Sequence, residues 1–319
     1  MEQSHGSARP EPTASVPALS EPPLSASAPP EPPAPVPTIP EPAVIGRRPM
    51  LRSDPGGLPA LHADHPGRPD SELDGATLPG LVVRAASIRG DAHRYYGTPR
   101  QDAMGLWQTG EAQLLACVAD GLGSQELSYL GASLACTSAC RNINVFHAYS
   151  DLQTAAEYLI EGIADALVRQ ALKHEVPADA LSTTFLAAVV DQDTDTSPHR
   201  ARLMRVGDST AFLLHKGIWS ECFGKKSGEE TIADSATHAL PGGTGHVEVA
   251  VADLEAGDML LLCTDGIATP LARNNEVGDR LSAWWSQAEP PSLPEFFWQS
   301  SFRAKSYDDD RTAICVWRV

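Results

Sequence analysis

Beyond residue 78 the chain carries short apolar runs and longer stretches of helical periodicity, and it carries them in blocks rather than in alternation. LVVRAASI (81–88), DAMGLWQT (102–109) and AQLLACVA (112–119) read as strands. A polar loop, RGDAHRYYGTPRQD, follows the first, and a Gly-Glu turn joins the other two. Residues 126–145 then set Ala, Leu, Ser and Cys at helical spacing. Residues 151–174 place Ala155, Leu159, Ile163, Leu167 and Ala171 on one broad face, with Asp151 near the helix start. Strands return in TFLAAVV (184–190), ARLMRV (201–206), TAFLLH (210–215), HVEVAV (246–251) and DMLLLC (258–263). The Gly-Asp-Ser between the second and third of these reads as a hairpin turn. Two helices (277–287 and 293–302) and a last strand, TAICVWRV (312–319), close the chain. Long blocks of each type argue against a βαβ repeat and predict an α+β fold. The arrangement that covers every apolar face is a four-layer α-β-β-α sandwich of two mainly antiparallel sheets flanked by helix pairs.

The preceding segment cannot belong to such a core. Many of the 27 prolines lie before residue 79, in stretches such as SEPPLSASAPPEPPAPVPTIPEP, with almost no aromatics. Such a composition buries too little surface to offset its ordering entropy. Residues 1–78 are therefore expected to be a disordered tail, dispensable for chemistry, and 79–319 the folded domain. A net charge of −17 argues against non-specific nucleic-acid binding. No run approaches the ~20 apolar residues of a membrane span, and the N-terminus lacks a secretory apolar core. Six cysteines without a CxxC pair suit a reducing compartment, so a cytoplasmic location is expected. Cys136 and Cys140, with His147 further on, share a helix face; core packing is the favoured reading over a metal site.

The chemistry-bearing residues are acids at strand ends. LLACVADG places Asp120 directly after a buried run, and MLLLCTDG repeats the arrangement at Asp265. Asp208 sits between two apolar strands, Asp308, Asp309 and Asp310 precede the last strand, and Asp102 opens one. Each alone reads as a turn acid. Together, converging strand ends would crowd carboxylates into a small volume, where like charges raise one another's pKa unless cations sit among them. Hard oxygen donors of this kind suit Mg²⁺ or Mn²⁺. Gly121 is read as freeing the backbone so that its carbonyl faces a metal. The competing motifs fail at key positions. Around DGLGSQE, Leu122 and Glu126 stand where a GxSxG elbow needs glycine, and Glu126 replaces the third glycine of GxGxxG. GKKS lacks the upstream glycine of a P-loop, where Trp219 stands, and no HExxH occurs.

In order along the chain, RQDA (100–103), VADGLGS (118–124), STTFLAAVV (182–190), RVGDSTAFLL (205–214), LEAGDMLLLCTDGI (254–267) and DDRTAICV (309–316) resemble the motifs of the metal-dependent protein phosphatases of type 2C, and most closely a bacterial branch. The resemblance implies a β-sandwich flanked by helix pairs and a serine/threonine protein phosphatase using two Mn²⁺ or Mg²⁺ ions. It implies a bridging water, deprotonated by the cations, that attacks phosphorus in line. Asp120 resembles the acid that bridges two metals and Gly121 the residue whose carbonyl binds the second. Asp265 and Asp309 resemble further ligands, Asp102 the acid holding metal-bound water, and Asp208 a ligand of a third ion. The implied partner is a phosphorylated protein, the target of a serine/threonine kinase. The chain also departs from the pattern. Gly97 stands where many members carry a phosphate-binding arginine, so Arg100, Arg94 or His93 are the candidate substitutes. Leu122, Gly123 and Ser124 replace a glycine-histidine segment, Thr210 stands where arginine is common, and Ser182-Thr183-Thr184 replaces Gly-Thr-Thr. A catalytically weak, phosphatase-like module that binds a phosphoprotein is the alternative reading, and a hydrolase of small phosphoesters a third. The polar, glycine-rich loop 223–245 is expected to select substrate.

Overall fold

The central strands form because their side chains are apolar on both faces, and both faces are covered. In the computed structural model residues 41–47, 49, 69–109, 112–123, 125, 127–192, 198–224 and 238–319 are described. The strands are β1 Val44–Ile45, β2 Ser71–Leu78, β3 Leu81–Ile88, β4 Ala103–Thr109, β5 Gln113–Ala119, β6 Phe185–Asp191, β7 His199–Val206, β8 Thr210–His215, β9 Ile218–Glu221, β10 Glu248–Leu254, β11 Met259–Cys263, β12 Arg303–Ala304 and β13 Arg311–Arg318. The helices are α1 Asp91–Tyr96, α2 Ser128–His147, α3 Leu152–Lys173, α4 Asp265–Arg273, α5 Asn275–Trp285 and α6 Leu293–Ser300. One antiparallel sheet runs β10-β7-β6-β5-β4 and a second runs β2-β3-β13-β11-β8-β9. A short parallel pair joins β1 to β12.

The period-2 alternation of each strand explains the layering. In β5, Leu114, Ala116 and Val118 point between the sheets, against Leu260 and Leu262 of β11 and Ile314 and Val316 of β13. Their neighbours Leu115, Cys117 and Ala119 face the other way, against Ala135, Leu159, Ile163 and Leu167 of α2 and α3. Leu261 and Cys263 face Ile267, Val277, Leu281, Trp285 and Phe296 of the C-terminal helices. Each of these large side chains is fully or almost fully buried. Burial of one aliphatic or aromatic side chain contributes about 1.5–3 kcal/mol. The α+β sandwich is thus as expected, with three helices rather than two on the second outer face. Cys136 packs in the α2 core with no metal-ligand cluster around it among the described residues.

Four local expectations are corrected. Ser71–Leu78, assigned by composition to the tail, pairs with β3 from Ser71↔Ile88 to Leu78↔Leu81, so the folded part begins before residue 79. Its polar, half-exposed pattern is that of an edge strand. The segment after β3 is not all loop, since six of its residues form α1. β7 and β8 do not form a hairpin: β7 pairs with β6 and β10, β8 with β11 and β9, and the Gly-Asp-Ser turn crosses between the sheets. Asp265 is not in a turn but opens α4. Most of the expected tail, the Gly-Glu turn at 110–111, Ser124, Glu126 and residues 225–237 of the proposed substrate loop lie outside the described residues.

Candidate metal centre

Strand register brings the acids to one end of the sandwich. Ala103 pairs with Ala119, so Asp102 and Asp120 leave adjacent strands side by side. Cys263 pairs with both Ala313 and Thr210, which gathers Asp265, the Asp308–Asp310 run and Asp208 on the other sheet. A pocket of about 190 Å³ opens there, lined by the carboxylates Asp120, Asp208, Asp265 and Asp309. His93, Gln101, the Gly121–Gly123 segment and Thr184 complete the lining.

The backbone of Asp120 is pinned from the neighbouring strand. Its carbonyl accepts from Thr184 N at 2.8 Å and from Thr183 Oγ1 at 2.9 Å, and its N–H donates to Thr184 Oγ1 at 3.1 Å. The Ser182-Thr183-Thr184 segment therefore holds the Asp-Gly tip rather than a ligand. The two glycines of the repeated Asp-Gly are needed for space, not for a left-handed backbone. A Cβ on Gly121 would stand 2.7 Å from the Ser128 carbonyl, and one on Gly266 would stand 1.8 Å from the Asp310 oxygen. Each tip is packed against backbone that a side chain would displace.

Charge crowding is visible in the acids themselves. Burial, then the charges of Asp102, Asp265, Asp309 and Asp208, push the Asp120 carboxyl well above the usual range. Burial, with Asp309 and Asp208, raises Asp265 to about 6, although Asp120 and the Gly266 N–H hydrogen-bond to it. Asp309 is raised by burial and by Asp310. Four oxygen acids facing one pocket, three of them reluctant to ionise, are a donor set short of positive charge. That set fits divalent cations with hard-ligand preference.

Asp102 does not line the pocket. It is 1% exposed and lies one layer behind, where Oδ2 accepts from Thr264 Oγ1 at 2.8 Å and Thr312 Oγ1 at 2.7 Å. Burial and Asp310 raise it well above the usual range, against the pull of those two hydroxyls. Arg100 is not brought to the site either. It is fully buried, donates to the Ser87 carbonyl at 2.8 Å and pairs with Glu72 at 2.8 Å. Arg94 is likewise committed, to Asp70 at 3.0 and 2.7 Å. Of the three substitutes for the missing arginine, only His93 reaches the pocket.

Asp310, which the sequence does not separate from its two neighbours, is the best-held acid of the group. It is 2% exposed. Oδ1 accepts from Gly90 N (2.6 Å) and meets His93 Nδ1 (2.7 Å). Oδ2 accepts from Gln101 N (2.6 Å) and Asp102 N (3.3 Å). Burial would raise its carboxyl, but His93 and the backbone N–H groups hold it below the usual range. Burial would also lower His93, and the hydrogen bond and charge of Asp310, with Asp309 and Asp102, more than offset it, so the imidazole is raised.

The sequence matches the family model described as protein phosphatase 2C over residues 89–297, more than half of the chain. The chain belongs to the protein phosphatase 2C family. The matched span includes Asp102, Asp120, Asp208 and Asp265. The serine/threonine phosphatase stp of Listeria innocua is 24% identical over 199 residues, 56% of this chain and 76% of that protein. Among solved structures, a bacterial serine phosphatase superposes with a TM-score of 0.52 at 17% identity, covering 74% of this chain and 97% of the other. The Mycobacterium tuberculosis serine/threonine phosphatase PstP/Ppp covers the same shares at 16% identity and a TM-score of 0.45. The first of these structures supports the protein phosphatase 2C fold directly.

Proposed function

We propose that this protein phosphatase 2C chain hydrolyses phosphoserine and phosphothreonine in proteins, using Mn²⁺ or Mg²⁺. The observation that carries the reading is the pocket lined by Asp120, Asp208, Asp265 and Asp309, with the carboxyls of Asp120, Asp265 and Asp309 raised by burial and by neighbouring aspartate charges. Asp120, the Gly121 carbonyl, Asp265 and Asp309 are the residues that would hold two cations, with Asp208 available to a third. When bound, such ions supply a water acidic enough to serve as nucleophile and neutralise charge on the phosphoryl oxygens. The chain's own contribution is placement. Thr183 and Thr184 fix the Asp120 backbone, and Thr264 and Thr312 hold Asp102 behind it. From that layer Asp102 acts on the site through its charge, which helps to raise the Asp120 carboxyl. No side-chain nucleophile is required, in agreement with the absence of an elbow motif from the sequence.

The test is hydrolysis of a phosphothreonine peptide by the full chain in EDTA, Mg²⁺ and Mn²⁺, beside Asp265→Asn. Metal-dependent turnover that the variant loses supports the reading. A folded protein that binds Mn²⁺ in a calorimeter and turns over nothing would overturn it in favour of a phosphoprotein-binding module. Turnover of small esters alone would point to a small-phosphoester hydrolase.

A further inference from the structure

We propose that His93 is the general acid of this reaction, protonating the departing seryl or threonyl oxygen from Nε2, and that Asp310 is the residue that positions it. The inference rests on the phosphatase reading above and assigns a role within it.

A leaving alkoxide is strongly basic, and its departure from phosphorus is fast only when a proton arrives with bond cleavage. Few of the described groups facing the pocket can deliver one. The carboxylates of Asp120, Asp265 and Asp309 are the groups that would hold the cations. Leu122 follows Asp120-Gly121 and carries no proton to give, and the Gln101 amide is not an acid. The Thr184 hydroxyl is occupied by Asp120 N and by Ser209 Oγ, 2.8 Å away. Among the described residues that line the pocket, His93 is the side chain outside the carboxylate set that carries a transferable proton near neutral pH.

Its mount is rigid. α1 is tied on one side by Asp91 Oδ2 to Arg303 Nε (2.7 Å) and on the other by Arg94 to Asp70. Nδ1 is committed to Asp310, whose carboxylate is held by three backbone N–H groups and cannot swing away. A buried carboxylate at Nδ1 orients the ring, favours its imidazolium form and leaves Nε2 as the nitrogen for the pocket. The same pair thus explains why the third acid of Asp308–Asp310 serves the imidazole while Asp309 lines the pocket.

In the step, a water oxygen forms the new bond to phosphorus and the bond from phosphorus to the side-chain oxygen breaks. The electron pair stays on that oxygen, which takes the proton from Nε2. The products are inorganic phosphate and a free hydroxyl, and Nε2 regains a proton from solvent, balancing the one lost by the attacking water.

The experiment compares two substrates in the Mn²⁺-loaded full chain: a phosphothreonine peptide, and p-nitrophenyl phosphate, whose phenolate leaves without needing a proton. His93→Gln should lower kcat on the peptide by about 10²-fold or more, and on the nitrophenyl ester by at least tenfold less. KM for the peptide and Mn²⁺ affinity by calorimetry should hold. Asp310→Asn should show the same substrate bias at smaller size, and His93→Asn provides a second variant if the first is misfolded by circular dichroism. Equal losses on both substrates would make His93 a phosphate anchor and overturn the proposal. So would a loss of Mn²⁺ binding, because His93, Asp309 and Asp310 present ligand atoms within 4.8 Å of one another. Wild-type protein inactive on both substrates with Mn²⁺ would refute the phosphatase reading itself.

Discussion

Neutralising Asp265 should stabilise the metal-free protein. Its carboxyl is displaced from the ordinary 3.8 to about 6 by burial and by the charges of Asp309 and Asp208. At about 1.4 kcal/mol per pH unit this is worth at most about 3 kcal/mol. The folded state binds the proton more tightly than the unfolded chain, so this contribution is fully present below pH 3.8. It is lost as pH rises through about 6, and above that the ionised acid weighs against folding. Asp265→Asn removes that cost. It also removes a negative charge from the first turn of α4, which a helix N-terminus favours by about 0.3–1 kcal/mol. The net gain at pH 8 in EDTA is about 1–2 kcal/mol, a rise in Tm of about 2–8 °C for a domain of this size. Scanning calorimetry at pH 8 and pH 5 reads both the sign and its pH dependence, and at pH 5 the difference should shrink. With Mn²⁺ at a hundredfold over its Kd the wild type gains about 2.7 kcal/mol, and a variant that no longer binds the ion gains nothing, so the order reverses. A lower Tm for the variant in EDTA at pH 8, or an equal rise at both pH values, would refute the repulsion argument.

Arg100→Met should cost about 1–3 kcal/mol in a urea melt, through loss of its hydrogen bond to Ser87 and its pair with Glu72. It should leave KM for a phosphopeptide where it was; a large rise in KM would return Arg100 to the phosphate site. A chain starting at residue 79 should melt at least about 5 °C below one starting at residue 41. It lacks β2, together with Asp70 and Glu72, which tie Arg94 and Arg100. Equal melting temperatures would mean that β2 adds nothing to the fold.

What was legible in the sequence is what a single strand or helix decides for itself. LLACVA and MLLLC are apolar on both faces because both are covered, and α3 shows its stripe because one face alone is buried. Asp151 was legible as lying near the helix start, and the structure makes it the cap, its side chain accepting from Thr154 N. Pairing between strands was not. A three-residue turn reads the same whether it closes a hairpin or crosses from one sheet to the other, as Gly207-Asp208-Ser209 does. SELDGATL resembles the tail in composition because an edge strand half in water needs few apolar residues.

The acids divide along the same line. That Asp120, Asp208 and Asp265 line one pocket follows from positions where each ends or links a recognisable strand, but the surroundings of Asp102 and Asp310 depend on donors from other segments. The hydroxyls of Thr264 and Thr312 and the N–H groups of Gly90, Gln101 and Asp102 meet these acids only in three dimensions. The glycine after each acid makes the same point from the opposite side. Its spacing marked it as special, yet its function is to admit Ser128 beside Gly121 and Asp310 beside Gly266. The close approach at Gly266 packs the start of α4 against the acid that holds His93. The repeated Asp-Gly therefore sets a carboxylate at the pocket and provides the clearance that brings a neighbouring element against it. A longer side chain at either glycine would disturb the site while every carboxylate was still present.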